Sequence, residues 1–376
     1  MIIYIDKSIV KHGKLTDDEE VMFTELACAH RRGDCFLCGA PDSIDRLKTE
    51  LGIYQKGIGT RYAEMTSLIS TVETLIVISY DATPILPQII IEKQRKGELQ
   101  IRTISVNQAV SYRLNKQCIL LGESLYDCNF YRLLANRFMY YNRKTIRGVR
   151  PSLSDEIGGG DSINQALEKC IRNNHNLTFC LIDSDKRYDR STKYGAEPAK
   201  GKTARNLERS SVELIDEGLG NLFDLYCLEV HEVENLIPLC VLDAVANSTI
   251  REMLPGIAYL RKLKAANLTD AILFYDFKKG NNIEKLRQEC QDPNSKKKPE
   301  LAYWEEIAQQ ISDESAPSLS EQVLSKSIEY MKESGYIYSD TDELDDHLAG
   351  YWDKIGKKVF SWGCASKPSA TKPSQC

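Results

Sequence analysis

The chain has 376 residues and a net charge of −5 at pH 7, and its composition is 42% hydrophobic and 27% charged. This length suffices for two or three domains with their own cores, and the balance is typical of a globular protein. The negative net charge excludes a surface generally coated with cations for nucleic-acid binding. The chain has no apolar run of about 18 residues and no signal-peptide pattern at its start. We therefore expect a cytoplasmic protein without membrane contact, whose 12 cysteines are mostly reduced.

The first 115 residues alternate short apolar runs with amphipathic segments and predict an α/β domain. Residues 1–5 form a strand ending at Asp6, and residues 75–80 form another ending at Asp81. Thr16 caps a helix whose first turn is acidic, as the positive end of a helix favours. Acids at two strand ends resemble PIN-like nuclease domains in that respect alone. We expect a structural or partner-binding role for this domain.

A cysteine-rich stretch in this region is the nearest approach to a zinc pattern, with Cys28, His30, Cys35 and Cys38. A structural zinc site needs a second, well-separated pair of ligands. Residues 35–39 also fit an apolar strand that follows the helix containing Cys28. We favour the strand, and zinc remains the alternative.

A second strand-end acid lies in the middle of the chain. Residues 118–122 form an apolar strand that ends at Glu123, and Asp127 follows four residues later at the start of a helical stretch, 130–138. Further on, Gly158–Gly160 predict a turn from a strand into a helix over 163–173.

A buried-looking strand, 177–182, is followed by Asp183 and Asp185. Both carboxylates can project from its carboxyl end, the edge at which open α/β sheets place their sites. Two carboxylates followed by Lys186 and Arg187 indicate a divalent cation beside a phosphate-bearing ligand.

Two basic segments, 143–150 and 186–209, flank these acidic residues. An enzyme that holds a polyanion near bound metal requires such cations. A solvated loop surface is the alternative interpretation. The candidate nucleic-acid-binding residues are Arg147, Arg150, Lys186, Arg187, Lys200 and Lys202.

The order of these motifs resembles the toprim domain of topoisomerases, bacterial primases and OLD-family nucleases. Glu123 and Asp127 match its first motif, although Ser124 stands where glycine is usual, and Asp183 and Asp185 match its Asp-x-Asp motif. Residues 227–238 contain Glu-Val-Glu-Asn, similar to the Glu-x-Glu-Asn strand of the nuclease and defence-associated branch. The resemblance covers roughly residues 116–240.

The resemblance implies a Rossmann-like parallel sheet and Mg²⁺ or Mn²⁺ as cofactor. Its catalytic residues would be Glu123, Asp183 and Asp185, and the metal ligands would also include Asp127, Glu232 and Glu234, the last two on one face of a strand. Nothing marks a nucleophile among the 19 tyrosines, and a primase zinc module is missing. Phosphodiester hydrolysis of DNA or RNA is therefore favoured over strand passage or primer synthesis.

The predicted architecture has an N-terminal α/β domain (1–115), a toprim-like domain (116–240), a helical C-terminal domain (241–364) and a disordered tail (365–376). The resemblance implies an effector of prokaryotic anti-phage defence that works with an ABC/SMC-type ATPase partner. Any ATP-driven control must come from another chain, because this one lacks the phosphate-loop motif. Homo-oligomerisation stays open.

Two alternatives compete with the nuclease. Haloacid-dehalogenase-like phosphatases also place Asp-x-Asp after a strand, with the first Asp as nucleophile. They continue with a small residue and Thr or Val, whereas this chain continues with Lys186 and Arg187. The other alternative is a non-catalytic toprim-like sensor or assembly subunit, which Ser124 and the lack of an obvious general base favour.

Overall fold

The computed structural model describes residues 1–52, 62–189, 198–338 and 344–368. The chain is α/β with parallel sheets, which confirms the predicted class. It forms two compact units: the first contains the described residues of Met1–Cys180, Glu208–Leu225 and Asp353–Cys376, and the second those of Leu181–Leu207 and Tyr226–Trp352. Each unit is assembled from separate segments, whereas the boundaries predicted from the sequence divide the chain into consecutive pieces.

The N-terminal part of the first unit is built on a parallel sheet in the order β2-β1-β3-β4. Its central strands are completely buried because helices cover both faces, as parallel sheets require. The elements are β1 (Ile2–Ile5), α1 (Ser8–Lys11), α2 (Asp17–Arg32), β2 (Phe36–Gly39), α3 (Pro41–Leu51), α4 (Tyr62–Thr71), β3 (Thr74–Ser79), α5 (Gln88–Arg95), β4 (Gln100–Ser105) and α6 (Val106–Ser111).

Helix α2 shows why these segments form where the sequence predicts them. Thr16 Oγ1 accepts a hydrogen bond from the Glu19 backbone N–H at 3.4 Å, and Glu19 Oε2 accepts one from the Thr16 N–H at 2.8 Å. This reciprocal capping box fixes the start of the helix. Gly33 ends it in the left-handed conformation, with φ of 80°.

A second sheet follows, in the order β7-β5-β8-β9, in which β5 pairs in parallel with both β7 and β8. Strand β6 pairs antiparallel with β10. The chain passes from the first unit to the second near the carboxyl ends of β8 and β9. The elements are β5 (Cys118–Gly122), α7 (Leu125–Tyr141), β6 (Val149–Pro151), β7 (Leu153–Ile157), α8 (Ile163–Glu168), β8 (Thr178–Ile182), α9 (Lys202–Asp216) and β9 (Phe223–Cys227).

The remainder of the chain is mainly helical, as predicted. Its elements are α10 (Leu239–Ser248), α11 (Leu254–Ala265), α12 (Thr269–Ile272), α13 (Ile283–Glu289), α14 (Lys298–Ile311), α15 (Val323–Glu333), α16 (Asp346–Gly363) and β10 (Cys364–Ser366). Trp304, Trp352 and Trp362 are buried in the core. Among the described helices, none has the length and apolarity needed to cross a bilayer.

Two local predictions were wrong. Residues Glu232–Asn235 do not continue a strand: β9 ends at Cys227, and Val233–Leu236 form a 3₁₀ turn. The turn forms because Asn235 Oδ1 accepts the Glu232 N–H at 2.9 Å. The tail also begins later than predicted, because Ala365 and Ser366 pair with β6. Residues 369–376 lie outside the described part of the chain.

Candidate functional site

The acidic corner after β5 lies in the first unit and is held by local hydrogen bonds. Glu123 directly follows the strand, and Ser124 caps α7. Ser124 Oγ accepts the Asp127 N–H at 3.2 Å and donates to Asp127 Oδ1 at 2.8 Å, while Asp127 Oδ2 accepts the Ser124 N–H at 2.7 Å. Ser124, which stands where the toprim motif usually has glycine, serves in this chain as a helix cap. Asp127 serves the same cap and is largely buried.

The turn that carries Asp183 and Asp185 lies in the second unit, hydrogen-bonded to residues 230–233. Ser184 Oγ donates to the Val230 carbonyl at 2.5 Å, and the Asp185 N–H donates to the His231 carbonyl at 3.0 Å. Asp183 Oδ1 accepts the Val233 N–H at 3.0 Å. These bonds hold the Asp183–Asp185 turn beside the segment that carries Glu232 and Glu234.

Asp185 has a left-handed backbone, with φ of 55°, which aspartate tolerates better than most residues. Its carboxylate lies against Gly201, at the start of α9. A Cβ atom on Gly201 would be 1.8 Å from Asp185 Oδ2, so this close approach requires glycine. The carboxylate therefore lies near the positive end of a helix, which favours an anion.

Glu232 and Glu234 share one cation from a distant segment. Lys278 Nζ is 3.2 Å from Glu232 Oε2 and 3.1 Å from Glu234 Oε1. Asn235, in the same turn, donates from Nδ2 to the Ile272 and Tyr275 carbonyls at 2.7 and 2.8 Å. The Glu-x-Glu-Asn segment is thereby anchored to the region after α12.

A buried histidine precedes Glu232. His231 is 0% exposed, and its Nε2 is 3.6 Å from Glu232 Oε1. Asp276 lies nearby and binds Arg187, whose Nη1 donates to Asp276 Oδ2 at 2.6 Å. The other oxygen of Asp276 accepts the backbone N–H groups of Lys278 and Lys279, at 3.0 and 2.8 Å.

Burial and neighbouring charges set the ionisation of this cluster. Burial, with Arg187 adding to it, lowers the pKa of His231 to about 3, so the imidazole is neutral at pH 7. Burial and the adjacent Glu234 raise the pKa of Glu232. Burial, the largest single effect, would raise the pKa of Asp276, but the hydrogen bonds from Arg187 and the Lys279 N–H and the Arg187 charge together outweigh it, so the net shift is downward. Glu234 and Glu232 likewise outweigh the effect of burial and raise the pKa of Lys278.

The ligand atoms of His231, Glu232 and Asp276 lie within 4.8 Å of one another. In the described ranges, this is the only set of three or more His, Cys, Asp or Glu ligand atoms so close together. Of the six metal ligands predicted from the sequence, only Glu232 belongs to it. Asp183, Asp185 and Glu234 also lie in the second unit, whereas Glu123 and Asp127 lie in the first.

The predicted nucleic-acid-binding residues differ in their surroundings. Arg147 is exposed, and Arg150 is half-buried on β6. Arg187 is committed to its ion pair with Asp276. Lys200 and Lys202 flank Gly201, which places them next to the Asp185 carboxylate, and Lys186 directly follows Asp185.

The four residues considered for zinc do not come together as a ligand cluster. His30 Nδ1 accepts the Leu37 N–H at 3.0 Å, and Cys35 and Cys38 are buried beside and within β2. Burial raises the pKa of Cys35 to about 12, which disfavours a metal-binding thiolate. These features agree with the strand that the sequence favours here.

Sequence reasoning missed His231, Asp276 and Lys278 as members of the acidic cluster. His231 was adjacent to a recognised motif, and its position next to Glu232 was the one available signal. Asp276 and Lys278 lie about forty residues downstream in no motif, and only the fold brings them close. No protein-family model matches the chain, and no curated protein or solved structure is significantly similar to it.

Proposed function

We propose that the chain is a metal-dependent nuclease of the toprim type that hydrolyses phosphodiester bonds in DNA or RNA. The observation that carries the proposal is the hydrogen-bonded pairing of the Asp183–Asp185 turn with residues 230–233. It gathers four carboxylates of the second unit on two adjacent segments, one directly after β8 and one that begins a few residues after β9 of the same sheet. The open edge of an α/β sheet is where such folds place catalytic residues.

The donor chemistry of these side chains fits Mg²⁺ or Mn²⁺, which prefer carboxylate oxygens. Asp183 and Asp185 would hold the ion, with Glu232 and Glu234 as further ligands. When bound, the ion supplies charge neutralisation for the scissile phosphate and lowers the pKa of a bound water. The left-handed backbone at Asp185 directs its carboxylate, and Gly201 leaves it the space it needs.

Three lysines beside this turn support a polyanionic substrate. Lys186 follows Asp185, and Lys200 and Lys202 flank the glycine that the Asp185 carboxylate touches. Cations at this position would bind backbone phosphates and hold the strand near the carboxylates. The substrate class that follows is a nucleic acid, bound without regard to base identity at these contacts.

The toprim resemblance extends the proposal to biological context. Chains of this kind act in prokaryotic anti-phage defence, controlled by an ABC/SMC-type ATPase, and the same context is proposed for this chain. The resemblance also includes Glu123 in the ligand set, so Glu123→Gln belongs in the test of activity.

The first experiment is a cleavage assay on plasmid DNA, single-stranded DNA and total cellular RNA, with Mg²⁺, Mn²⁺ or EDTA. We expect metal-dependent cleavage that falls at least roughly 100-fold in Asp183→Ala/Asp185→Ala, because a lost metal site costs several kcal/mol of transition-state stabilisation. Glu229→Gln, at an exposed acid in the same region, is the matched control and should cleave like the wild type. Equal cleavage by the double variant, shown to be folded by circular dichroism, would refute the proposed site.

A second candidate function is a non-catalytic sensor or assembly subunit. The specific observation in its favour is that protein cations already neutralise part of the acidic cluster: Lys278 pairs with Glu232 and Glu234, and Arg187 pairs with Asp276. This candidate predicts no cleavage of any polymer and no Mg²⁺ binding that depends on Asp183 and Asp185. Isothermal titration with Mg²⁺, on the wild type and the double variant, separates the two functions.

A further inference from the structure

The cluster around His231 combines one nitrogen ligand with two carboxylates. Single ligand atoms of His231, Glu232 and Asp276 lie within 4.8 Å of one another, and Glu232 Oε1 is 3.6 Å from His231 Nε2. Ligand atoms on a tetrahedral Zn²⁺ ion are about 3.4 Å apart, since each bond is about 2.1 Å. The separation of His231 Nε2 and Glu232 Oε1 is already close to this value, and a closure of the cluster would bring all three ligand atoms to bonding distance of one ion.

His231 is the independent sign that something else binds here. Its side chain is 0% exposed, and in the described part of the chain neither ring nitrogen has a hydrogen-bond partner. A buried polar atom without a partner destabilises the folded chain, and such atoms are rare in folded proteins. A ligand that accepts the imidazole lone pair would remove this destabilisation. The ring faces the two carboxylates that could bind the same ligand.

The carboxylates are the groups of this cluster that can accept a cation. Glu232, Glu234 and Asp276 contribute three of them, and Arg187, Lys278 and Lys279 are the neighbouring cations that a bound metal ion would have to displace in part. Lys278 contacts Glu232 through Oε2, and this leaves Oε1 facing the imidazole. Arg187 and two backbone N–H groups fix the orientation of Asp276, as outer-shell groups do for metal-ligating carboxylates.

We propose that His231, Glu232 and Asp276 bind one divalent transition-metal ion, of the Zn²⁺ class, at a site whose ligands do not include Asp183 or Asp185. An imidazole nitrogen suits zinc and its neighbours in the first transition row, whereas Mg²⁺ prefers oxygen ligands and retains its water. The site is therefore selective against the ion that the proposed nuclease chemistry uses. The site shares Glu232 with the ligand set of the proposed nuclease but not Asp183 or Asp185, and it would hold for a non-catalytic protein as well.

The test is equilibrium dialysis of the full chain, stripped with EDTA, against Zn²⁺ alone and against Zn²⁺ with a large excess of Mg²⁺. Bound metal is counted by atomic emission. We expect one Zn²⁺ per chain that Mg²⁺ does not displace and that persists in Asp183→Ala/Asp185→Ala. His231→Gln and Glu232→Gln should each weaken binding by at least ~10-fold, the lower bound for losing even a supporting group of a metal site.

His347→Gln is the matched control, since His347 is another partly buried histidine of the second unit with a buried Nε2 that has no described partner. It should bind Zn²⁺ like the wild type. Circular dichroism checks that each variant is folded, and Glu232→Gln serves if His231→Gln is not. Any one of three results overturns the proposal. These are no stoichiometric binding of Zn²⁺, wild-type Zn²⁺ affinity in a folded His231→Gln or Glu232→Gln chain, and loss of Zn²⁺ binding in Asp183→Ala/Asp185→Ala.

Discussion

Strand-end carboxylates have different surroundings in the two units of this protein. Asp6 follows β1 in the first unit and is 0% exposed. Its Oδ2 accepts hydrogen bonds from the Ser8 N–H and Ser79 Oγ, both at 3.0 Å, and its Oδ1 accepts the Ile85 N–H at 3.0 Å. In the second unit, Asp183 and Asp185 follow β8 and lie next to a segment rich in further acids and cations.

The difference shows how two similar sequence patterns can have different consequences. Asp6 receives its donors from its own loop and from the region after β3, so both of its oxygens are satisfied by the fold. Around Glu232 and Asp276, charge is balanced by long side chains, Lys278 and Arg187, and His231 remains without a described hydrogen bond. A carboxylate whose oxygens are taken up by short, fixed donors supports a fold, whereas one that is paired with a long cationic side chain can exchange that partner for a ligand.

The largest stability effect that would sharpen this comparison is expected from Asp6→Ala. Removing the carboxylate leaves the Ser8 and Ile85 N–H groups without their acceptor, and we expect a loss of roughly 3 kcal/mol in the free energy of unfolding. Urea denaturation followed by circular dichroism measures it. Asp183→Ala, the counterpart at the other strand end, removes the acceptor of the Val233 N–H, and we expect the loss of that hydrogen bond to cost about 1 kcal/mol.

Cleavage activity of the folded fraction provides the contrasting measurement. Asp6→Ala should cleave like the wild type once the amount of folded protein is equalised. A stable Asp6→Ala chain that has lost cleavage would contradict this interpretation and restore the PIN-like reading of the N-terminal strand ends.

Much of the fold could be predicted because its signals are local. The strand over 118–122 was placed at its observed bounds, and Thr16 was identified as a helix cap from its acidic neighbours. Both depend on short-range hydrogen bonds and side-chain periodicity, which a sequence displays directly. The 3₁₀ turn at Val233 was missed because the Asn235 side chain, and not a strand ladder, holds it.

The site was harder to predict because its contacts are distant in sequence. The sequence marks Asp183 and Asp185 at a strand end, but it predicts only other carboxylates as their neighbours in the metal site. Lys278 and Asp276 come from the region between α12 and α13, and nothing in their local sequence marks them. Tertiary packing determines which cations neutralise a buried acidic cluster, so these cations can be identified only once the fold is known.

His30, a half-buried histidine of the first unit, accepts a hydrogen bond of the kind that His231 lacks, and this leads to a pH prediction. His30 Nδ1 accepts the Leu37 N–H, and burial, with a smaller effect of Arg31, lowers the pKa of His30 to about 4. Its stabilising contribution is therefore complete above the unfolded pKa of about 6.5 and is lost as pH falls towards 4. Between pH 7 and pH 5 the wild type should lose about 2 kcal/mol more stability than His30→Gln does.

Urea denaturation at both pH values measures this double difference. His12→Gln, at an exposed histidine of the same unit, is the control and should track the wild type at each pH. Equal pH dependence in the wild type and His30→Gln would show that His30 is protonated as readily in the folded chain as in the unfolded one.

The smallest expected effect is on the salt dependence of nucleic-acid affinity, and it distinguishes the basic residues of the two units. Lys200 and Lys202 lie beside the Asp185 carboxylate, whereas Arg147 and Arg150 precede and occupy β6 in the first unit. In an Asp183→Ala background, which keeps the substrate intact, fluorescence anisotropy with a labelled oligonucleotide gives affinity as a function of salt. Each phosphate contact that is lost reduces the slope of log affinity against log salt by about 0.9, so Lys200→Glu/Lys202→Glu should reduce it by about 2.

The sequence predicts a reduction of this slope for Arg147→Glu/Arg150→Glu as well. An unchanged slope in either double variant would place that pair away from the path of the nucleic acid, since a counterion released on binding must come from a phosphate that the protein contacts.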